Sequence, residues 1–478
     1  MNQPNAVRKS PGIYPWVMAV TGMFALFLSN GFTATGITIF DPSLLDEYGW
    51  SRGDFKFRDA LNFWTTAAIA PFIGILIDKL NPKHLLMIGF SLLTLGYFGY
   101  SMLSNSGPVL IIELIAVLTI VSLAGVVVLA MRTLTPKVTL PIAIGLATIG
   151  AAIMFWFYTQ YWMGTALKQV YIIHLMFSLA LSTAGTMVVI FLVSSWFVKY
   201  RGLAIGIALV GTSMGSAILP LLNPILIERF GWRQAYFYNA FLPIVMLLFV
   251  WVFVKGTPRH AGTVAVGQSD QVADLKQHGL TYGEAIRTRT FWAIGISGFL
   301  TYYAIFGFVQ HLVLHLTKSF DFSIRQAGQI LFAFSVIAML AKLFNGALAD
   351  RIDRHKVFMG CLVIMLVGVI GLATLKREWV IGSALIIGLG WGGLFTLYNM
   401  LAVNNFGLKE IGRINGSISL MESIGVGFGS WITGKLFDAY GDYQIAFEVI
   451  AGCVFVALII GTQIRSEVDE RAVMQSPR

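Results

Sequence analysis

This chain predicts an all-α polytopic membrane protein of about fourteen transmembrane helices, and three observations carry that fold class. Hydrophobic residues make up 57% of the 478 and charged residues only 12%, whereas roughly a quarter of a soluble domain is charged. Apolar runs of about 20 residues, the length that spans a bilayer core as helix, recur along the whole chain. A short polar signature joining two such runs occurs twice. It reads Gly74-Ile-Leu-Ile-Asp78-Lys79 with Lys83 following, and Gly346-Ala-Leu-Ala-Asp350-Arg351 with Arg354, His355 and Lys356 following. The copies are offset by 272 residues, and Ser51 and Ser323 keep that offset at the starts of the runs.

The first run, about 14–40, follows Arg8 and Lys9 as the core of a signal peptide would. It is too long for one and closes on no small-residue cleavage site, so it reads as the first span. Seven more follow at about 57–80, 84–104, 107–131, 139–163, 170–197, 202–228 and 234–254. Residues 255–289 are the only long polar stretch between spans. Within it, Thr281 and Glu284 have capping-box spacing, which predicts a short helix before Phe291. Six spans remain, at about 290–316, 324–349, 355–375, 379–403, 412–437 and 444–464. The expected organisation is an N-terminal half 1–254, a cytoplasmic linker 255–289, a C-terminal half 290–465 and a tail 466–478.

With the N-terminus inside, alternate loops collect 21 basic residues on the cytoplasmic side against 11 outside. That excess predicts N-in and C-in and accounts for the net charge of +10 without nucleic acid. Cys361 and Cys453 both fall inside spans and suggest neither a disulfide nor a metal.

Downstream the repeat changes register. Gly206, Gly215 and Gly231 pair with Gly416, Gly425 and Gly441 at an offset of 210, not 272, so the first half carries 62 additional residues between Asp78 and Gly206. That is enough for two spans with connections. The expectation is two six-helix repeats with a helical pair inserted at about 107–163. Two related halves are the build of many secondary transporters.

The residues also carry a family resemblance. Gly-x-x-x-Asp-Arg/Lys with trailing basic residues, between the second and third spans of each half, resembles the signature loop of the major facilitator superfamily. Trp196-Phe197-Val-Lys199-Tyr-Arg201-Gly-Leu203-Ala204-Ile-Gly206-Ile-Ala208 resembles the monocarboxylate transporter motif. Tyr48-Gly49-Trp50-Ser51-Arg52, and Glu284-Ala285 with Arg287, Arg289, Phe291 and Trp292, are similar to bacterial members, including the oxalate–formate antiporter group. The resemblance spans nearly the whole chain except about 107–163 and implies the major facilitator fold. The first-helix lysine that it implies in proton coupling is Thr35 here. The eighth-helix arginine that it implies in carboxylate binding is Lys342, and the aspartate one turn earlier is Ala338.

Lys342 lies eight residues before Asp350, about 12 Å from the inner helix end, and Glu422 lies nine after Arg413, about 13 Å in. An ammonium at that depth must face protein, water or an anion, although a lysine can also snorkel to the interface. The matching depths make the two candidates for an intramembrane pair, in which substrate competes for Lys342 while Glu422 takes a proton. Tyr302, Tyr303, Trp391, Tyr398 and Asn399 are candidates for shaping the site. The resemblance implies that first and fourth helices line the path, which adds Asn30, Thr35, Ser182 and Thr186. Any one of these also suits plain packing. Gln310, His311 and His315 read as a solvated outer vestibule. Asp78, Lys79, Asp350, Arg351 and Arg354, with Lys199 and Arg201 of the motif, are the expected gating charges.

The chain lacks a glycine-rich phosphate loop ending in Lys-Ser/Thr, which argues against ATP drive. It also lacks His-Glu-x-x-His, a cysteine pair and a nucleophile elbow, which argues against an intramembrane enzyme. The reading is a secondary or facilitative carrier of small organic anions, monocarboxylate-like, working by alternating access. A proton is one candidate coupling ion. The rivals are a carrier of a neutral nutrient or drug and, more remotely, an intramembrane enzyme or a transporter-like sensor. Expected are a multi-pass plasma membrane location (a bacterial inner membrane), a monomer, no cofactor and no metal.

Overall fold

The computed structural model describes residues 12–105, 165–258, 263–267, 279–349, 351–407 and 409–465. Among these residues, helices build the fold, joined by turns and two isolated β-bridges. Helix α1 (Tyr14–Asn30) runs into a widened turn Gly31–Thr35 and a tightened turn Gly36–Phe40, then α2 (Asp41–Tyr48). Next come α3 (Arg52–Lys79), α4 (Pro82–Ser101), α5 (Ala166–Ala184), α6 (Thr186–Trp196), α7 (Arg201–Asn239) and α8 (Phe241–Phe253). The short α9 (Tyr282–Ala285) precedes α10 (Arg289–Ser319), α11 (Ile324–Ala349), α12 (Arg354–Ala373), α13 (Arg377–Phe406), α14 (Ile411–Tyr440) and α15 (Gln444–Gly461). Nine helical stretches among the described residues are long and apolar enough to cross a membrane. The predicted inserted pair at about 107–163, Asp350 and the tail 466–478 lie outside the described residues.

Local chemistry starts these helices at the repeated positions. The Ser51 hydroxyl accepts from Asp54 N at 3.1 Å, and 272 residues later the Ser323 hydroxyl accepts from Gln326 N at 3.2 Å. Asn81 accepts from Lys83 N at 3.0 Å to start α4, and Asp353, again at 272, accepts from His355 N at 2.8 Å to start α12. Each side chain satisfies an amide that the first helical turn leaves without an intrahelical partner. The capping box expected at Thr281 is made: its N–H reaches Glu284 Oε2 at 2.9 Å and its hydroxyl accepts from Glu284 N at 3.4 Å. Gly231 inside α7 and Gly441 after α14, equivalent at the offset of 210, both take left-handed φ, 78° and 83°, which glycine alone adopts without a steric cost.

The described residues divide into two compact units. One holds the described parts of Met1–Ile37, Ala68–Leu219 and Ile225–Asp270; the other holds those of Thr38–Ala67, Pro220–Pro224 and Gln271–Arg478. The boundary departs from the expected halves: α2 and the first part of α3 belong with the second unit. In the second unit α10 packs along α14, and α13 packs between α11 and α12. In the first, α4 packs on α5 and α8.

Candidate functional site

Periodicity decides which way Lys342 points. On α11, Leu340, Leu343 and Phe344 are 55–65% exposed. At 100° per residue they define one face, and Lys342 falls opposite it. The same holds on α13, where Ile386 and Leu389 are exposed and Trp391, Phe395 and Tyr398, spaced i, i+4, i+7, form the opposite face. The Lys342 ammonium stands 4.2 Å over the Phe395 ring, a cation–π contact. Trp391 packs edge-on to Phe395 at 5.8 Å and to Tyr302 at 4.9 Å, and Tyr302 lies 6.3 Å from Tyr398. Thr301 shares a 2.8 Å hydrogen bond with the Tyr398 hydroxyl.

Glu422 is buried at 9% exposure on α14. Gly298 makes room for it, since a Cβ there would meet Glu422 Cγ at 3.2 Å. The same Cβ would lie 3.6 Å from Tyr398 Cε1, so Tyr398 and Glu422 meet at Gly298. Among the ion pairs of the described residues, Lys342 and Glu422 are not joined. Equal depth along two helices fixes a height, not an azimuth. The fold thus brings together Lys342, Tyr302, Trp391, Tyr398 and Glu422. It leaves aside Tyr303, which is buried elsewhere on α10, and Asn399, which is exposed and accepts from Asn415 at 2.9 Å.

In the first unit the four expected residues lie at or beside helix breaks. Asn30 ends α1, and Thr35 ends the widened turn and accepts from the Ser216 hydroxyl at 3.3 Å. Ser182 uses its hydroxyl on Ser178 O, 2.7 Å away in its own helix. Thr186 is exposed at the start of α6, after the extended Gly185 that separates it from α5. Interrupted helices in a membrane protein belong where protein or water satisfies the freed backbone groups.

Of the expected gating charges, Asp350 and the side chains of Asp78 and Lys79 lie outside the described residues. Arg351 is exposed. Arg354 donates to Asn404 Oδ1 at 2.7 Å and, with Asp353, His355, Asn405 and Arg465, lines a polar cavity in the second unit. Lys199 N donates to Val266 O at 2.9 Å, and Arg201 Nε donates to Phe197 O at 2.8 Å. The motif's loop is thereby tied to the linker.

Sequence reasoning missed a buried charge cluster. Asp41, Lys56, Arg58 and Asp59 have side chains at 0–1% exposure. Asp41 takes Lys56 at 2.6 Å and also binds Arg58; Asp59 lies 3.3 Å from Lys56 and 3.5 Å from Arg58. Two cations and two carboxylates cancel, as buried charges must. Three charges within four residues at the start of a span were the readable signal. Gln310, His311 and His315, expected to be solvated, are instead buried at 0–1% exposure. His311 bonds Ser430 O at 2.8 Å and Tyr443 Oη at 3.0 Å. Residues 38–67 belong to the second unit, in which α2 packs on α10.

Three links tie residues 46–54 to α10 and α14. Lys318 pairs with Asp46 at 2.5 Å and Lys435 with Asp54 at 2.6 Å. Asp438 of α14 accepts from Arg52 N and Gly53 N at 2.8 and 2.7 Å, capping the start of α3 from another helix. The Lys435 hydrogen bond holds the Asp54 carboxyl below the usual carboxylate range, against a smaller opposing effect of burial.

Comparison with known proteins matches this arrangement to a family. A cyanate transport protein of Escherichia coli is 26% identical over 257 residues, 52% of this chain and 61% of its own length. A probable hexose phosphate transport protein of Chlamydia trachomatis is 22% identical over 296 residues, 56% of this chain and 65% of its own. The chain thus spans less than two thirds of these relatives. The fold is shared with a solved bacterial homolog of the human lysosomal transporter Spinster, inward-facing and occupied: TM-score 0.63, 13% identity, covering 95% of this chain and 97% of that one. The sequence model of the Major Facilitator Superfamily matches residues 114–430, and also 294–472, so that well over half of the chain is covered. By that match and that fold, the chain belongs to the Major Facilitator Superfamily.

Proposed function

We propose that the chain is a secondary transporter of small organic anions that works by alternating access, with Lys342 as the cationic seat. The observation that carries this reading is the position of Lys342. Its ammonium sits deep in a span, opposite the face of α11 that carries the exposed leucines, on a ring lattice whose Tyr398 lies, like Glu422, beside Gly298. A cation kept at membrane depth marks a functional position. The two relatives named above are transport proteins for cyanate and hexose phosphate, both anions, which supports the same substrate charge. Glu422 is the carboxyl that takes the coupling proton, and Tyr302, Trp391 and Tyr398 shape the site from the C-terminal half. Asn30, Thr35, Ser182 and Thr186 serve from the N-terminal half, and Tyr303 and Asn399 support the walls. Asp78, Lys79, Asp350, Arg351 and Arg354, with Lys199 and Arg201, form the inner gate. The protein works as a monomer in a bacterial inner membrane.

Uptake into proteoliposomes, with imposed proton and sodium gradients, tests the reading. Carboxylates are expected to compete for uptake and their neutral amides not to. Equal competition by the amides would instead establish a carrier of neutral compounds.

A further inference from the structure

The polar cavity beside Arg354 measures about 420 Å³, within the range of small-molecule sites. Three helix ends form it. Helix α12 starts there at Arg354, α13 brings Leu401, Asn404 and Asn405 from its last turns, and the chain leaving α15 brings Ile464 and Arg465. Helix α12 packs on both α13 and α15, so the walls belong to one packed group. The lining is divided in character: Ile352, Leu401 and Ile464 are apolar, and the arginines lie among His355, Asn404 and Asn405. Neither Lys342 nor Phe395 is on it.

Hydrogen bonds fix the polar side in place. Arg354 Nη1 donates to Asn404 Oδ1 at 2.7 Å, joining α12 to α13. His355 Nε2 donates to Gly461 O at 2.8 Å, joining α12 to α15. Arg465 is held by its backbone: its N–H donates to the Thr290 hydroxyl at 3.2 Å, and that hydroxyl donates to Arg465 O at 3.1 Å. Asp353, the carboxylate on the lining, caps α12, with Oδ1 accepting from His355 N and Lys356 N at 2.8 and 3.2 Å. Among the described residues no ion pair joins either guanidinium to a carboxylate. Two arginines against one aspartate leave the lining cationic.

A guanidinium has five donors and no acceptor, and the Arg354 bond to Asn404 uses one nitrogen. The cavity therefore presents an excess of charged donors from two separate elements. A phosphate group suits that arrangement. Its oxygens point to the corners of a tetrahedron and accept from several walls at once, whereas the two oxygens of a carboxylate lie in one plane, and arginine's fork matches phosphate geometry. The apolar side suits an organic body attached to the phosphate.

We infer that this cavity binds a phosphate group borne on an organic body, an anionic phospholipid headgroup or a soluble phosphate ester, through Arg354 and Arg465. Calorimetry at fixed ionic strength tests this on the full chain in dodecyl maltoside, a detergent without phosphate. The probes are glycerol 3-phosphate, phosphatidylglycerol in mixed micelles, glycerol and acetate. At least one phosphate probe is expected to bind saturably, and the one that binds identifies the source. Acetate is expected to bind at least tenfold more weakly, and glycerol not at all. Arg354→Gln and Arg465→Gln are each expected to weaken phosphate binding by about tenfold or more, the scale of one hydrogen bond to a charged group. Lys356→Gln removes the same charge from a neighbour that does not line the cavity, and is expected to change it by less than about twofold. Arg465 is exposed, so its variant carries the test if Arg354→Gln does not fold. Failure of both phosphate probes to bind overturns the inference, as does acetate or glycerol binding as tightly. An equal loss in Lys356→Gln overturns it too, by reducing the attraction to general surface charge.

Discussion

Lys342 shows how far a single residue can be read. Its depth follows from counting residues to Asp350, but its surroundings do not, because contacts across helices depend on rotations that spacing leaves free. The structure pairs it with Phe395, a residue that no charge or polarity pattern marks out. Glu422 sits against Gly298, and no ion pair among the described residues joins it to the lysine. Hydrogen bonds to charged groups are worth ~1.5–3 kcal/mol, and 1.4 kcal/mol is about tenfold in affinity. Lys342→Gln is therefore expected to raise the half-saturation concentration for a carboxylate by about 10- to 100-fold. Lys342→Arg, which keeps the charge, is expected to retain most of the affinity. Initial-rate uptake measures both. Glu422→Gln is expected to flatten the proton dependence of uptake; a pH profile like that of the unaltered protein would remove Glu422 from the coupling role.

At the scale of helices, close crossings and caps decide stability. A Cβ on Gly425 would collide with the carbonyl oxygen of Phe299, and one on Gly215 with that of Phe27. Backbone cannot yield as a side-chain end does, so Gly425→Ala is expected to cost about 1–3 kcal/mol, read as a lower melting temperature. Gly416→Ala on the same helix meets nothing within 4 Å and is expected to be neutral or mildly stabilising.

The Lys435–Asp54 ion pair belongs to this scale too. Lys435 holds the Asp54 carboxyl below its ordinary range, so the pair stabilises at neutral pH. Its contribution is lost only as pH falls through that lowered value, beneath the ordinary aspartate pKa of about 3.9. The difference in melting temperature between the unaltered chain and Asp54→Asn is expected to stay level through neutral and mildly acidic pH and to close below that range. The difference is expected to be small, because both side chains are about half exposed and exposed pairs contribute roughly 0–1 kcal/mol. Asp54→Lys and Lys435→Asp are each expected to lower the melting temperature, and the double exchange to restore it.

Across the whole molecule the two sequence registers meet. Helices α3 and α4 start at Arg52 and Pro82; α11 and α12 start 272 residues later, at Ile324 and Arg354. Helices α6 and α13 end at Trp196 and Phe406, and α7 and α14 start at Arg201 and Ile411, both at an offset of 210. Contacts obey both offsets together: Gly215 abuts Phe27 as Gly425 abuts Phe299. The extra residues therefore fall between Ser101 and Ala166. The flanks of that stretch are bonded to each other. Asn105 Oδ1 accepts from Ala166 N at 3.1 Å, and Gln169 Nε2 donates to Ser104 O at 3.1 Å. The chain leaves and returns at one point. Replacing residues 106–164 by a short Gly-Ser linker is expected to leave a folded protein that still takes up substrate. Loss of monodisperse expression would make that stretch part of the core.

Asp46 and Lys318, equivalent at 272, pair with each other. The sequence by itself determined the helical class, the positions of the described spans and the two repeat offsets. Those properties follow from hydrophobic period and spacing, which are local along the chain. Only the tertiary structure decided the rest. It set the row of rings under Lys342, left Lys342 and Glu422 without a direct ion pair among the described residues, buried Asp41 with Lys56, Arg58 and Asp59, and enclosed His311 and His315. Those outcomes depend on helix azimuth and on which outer segment covers which helix. A run of apolar residues constrains neither, because lipid and a neighbouring helix are equally good solvents for it.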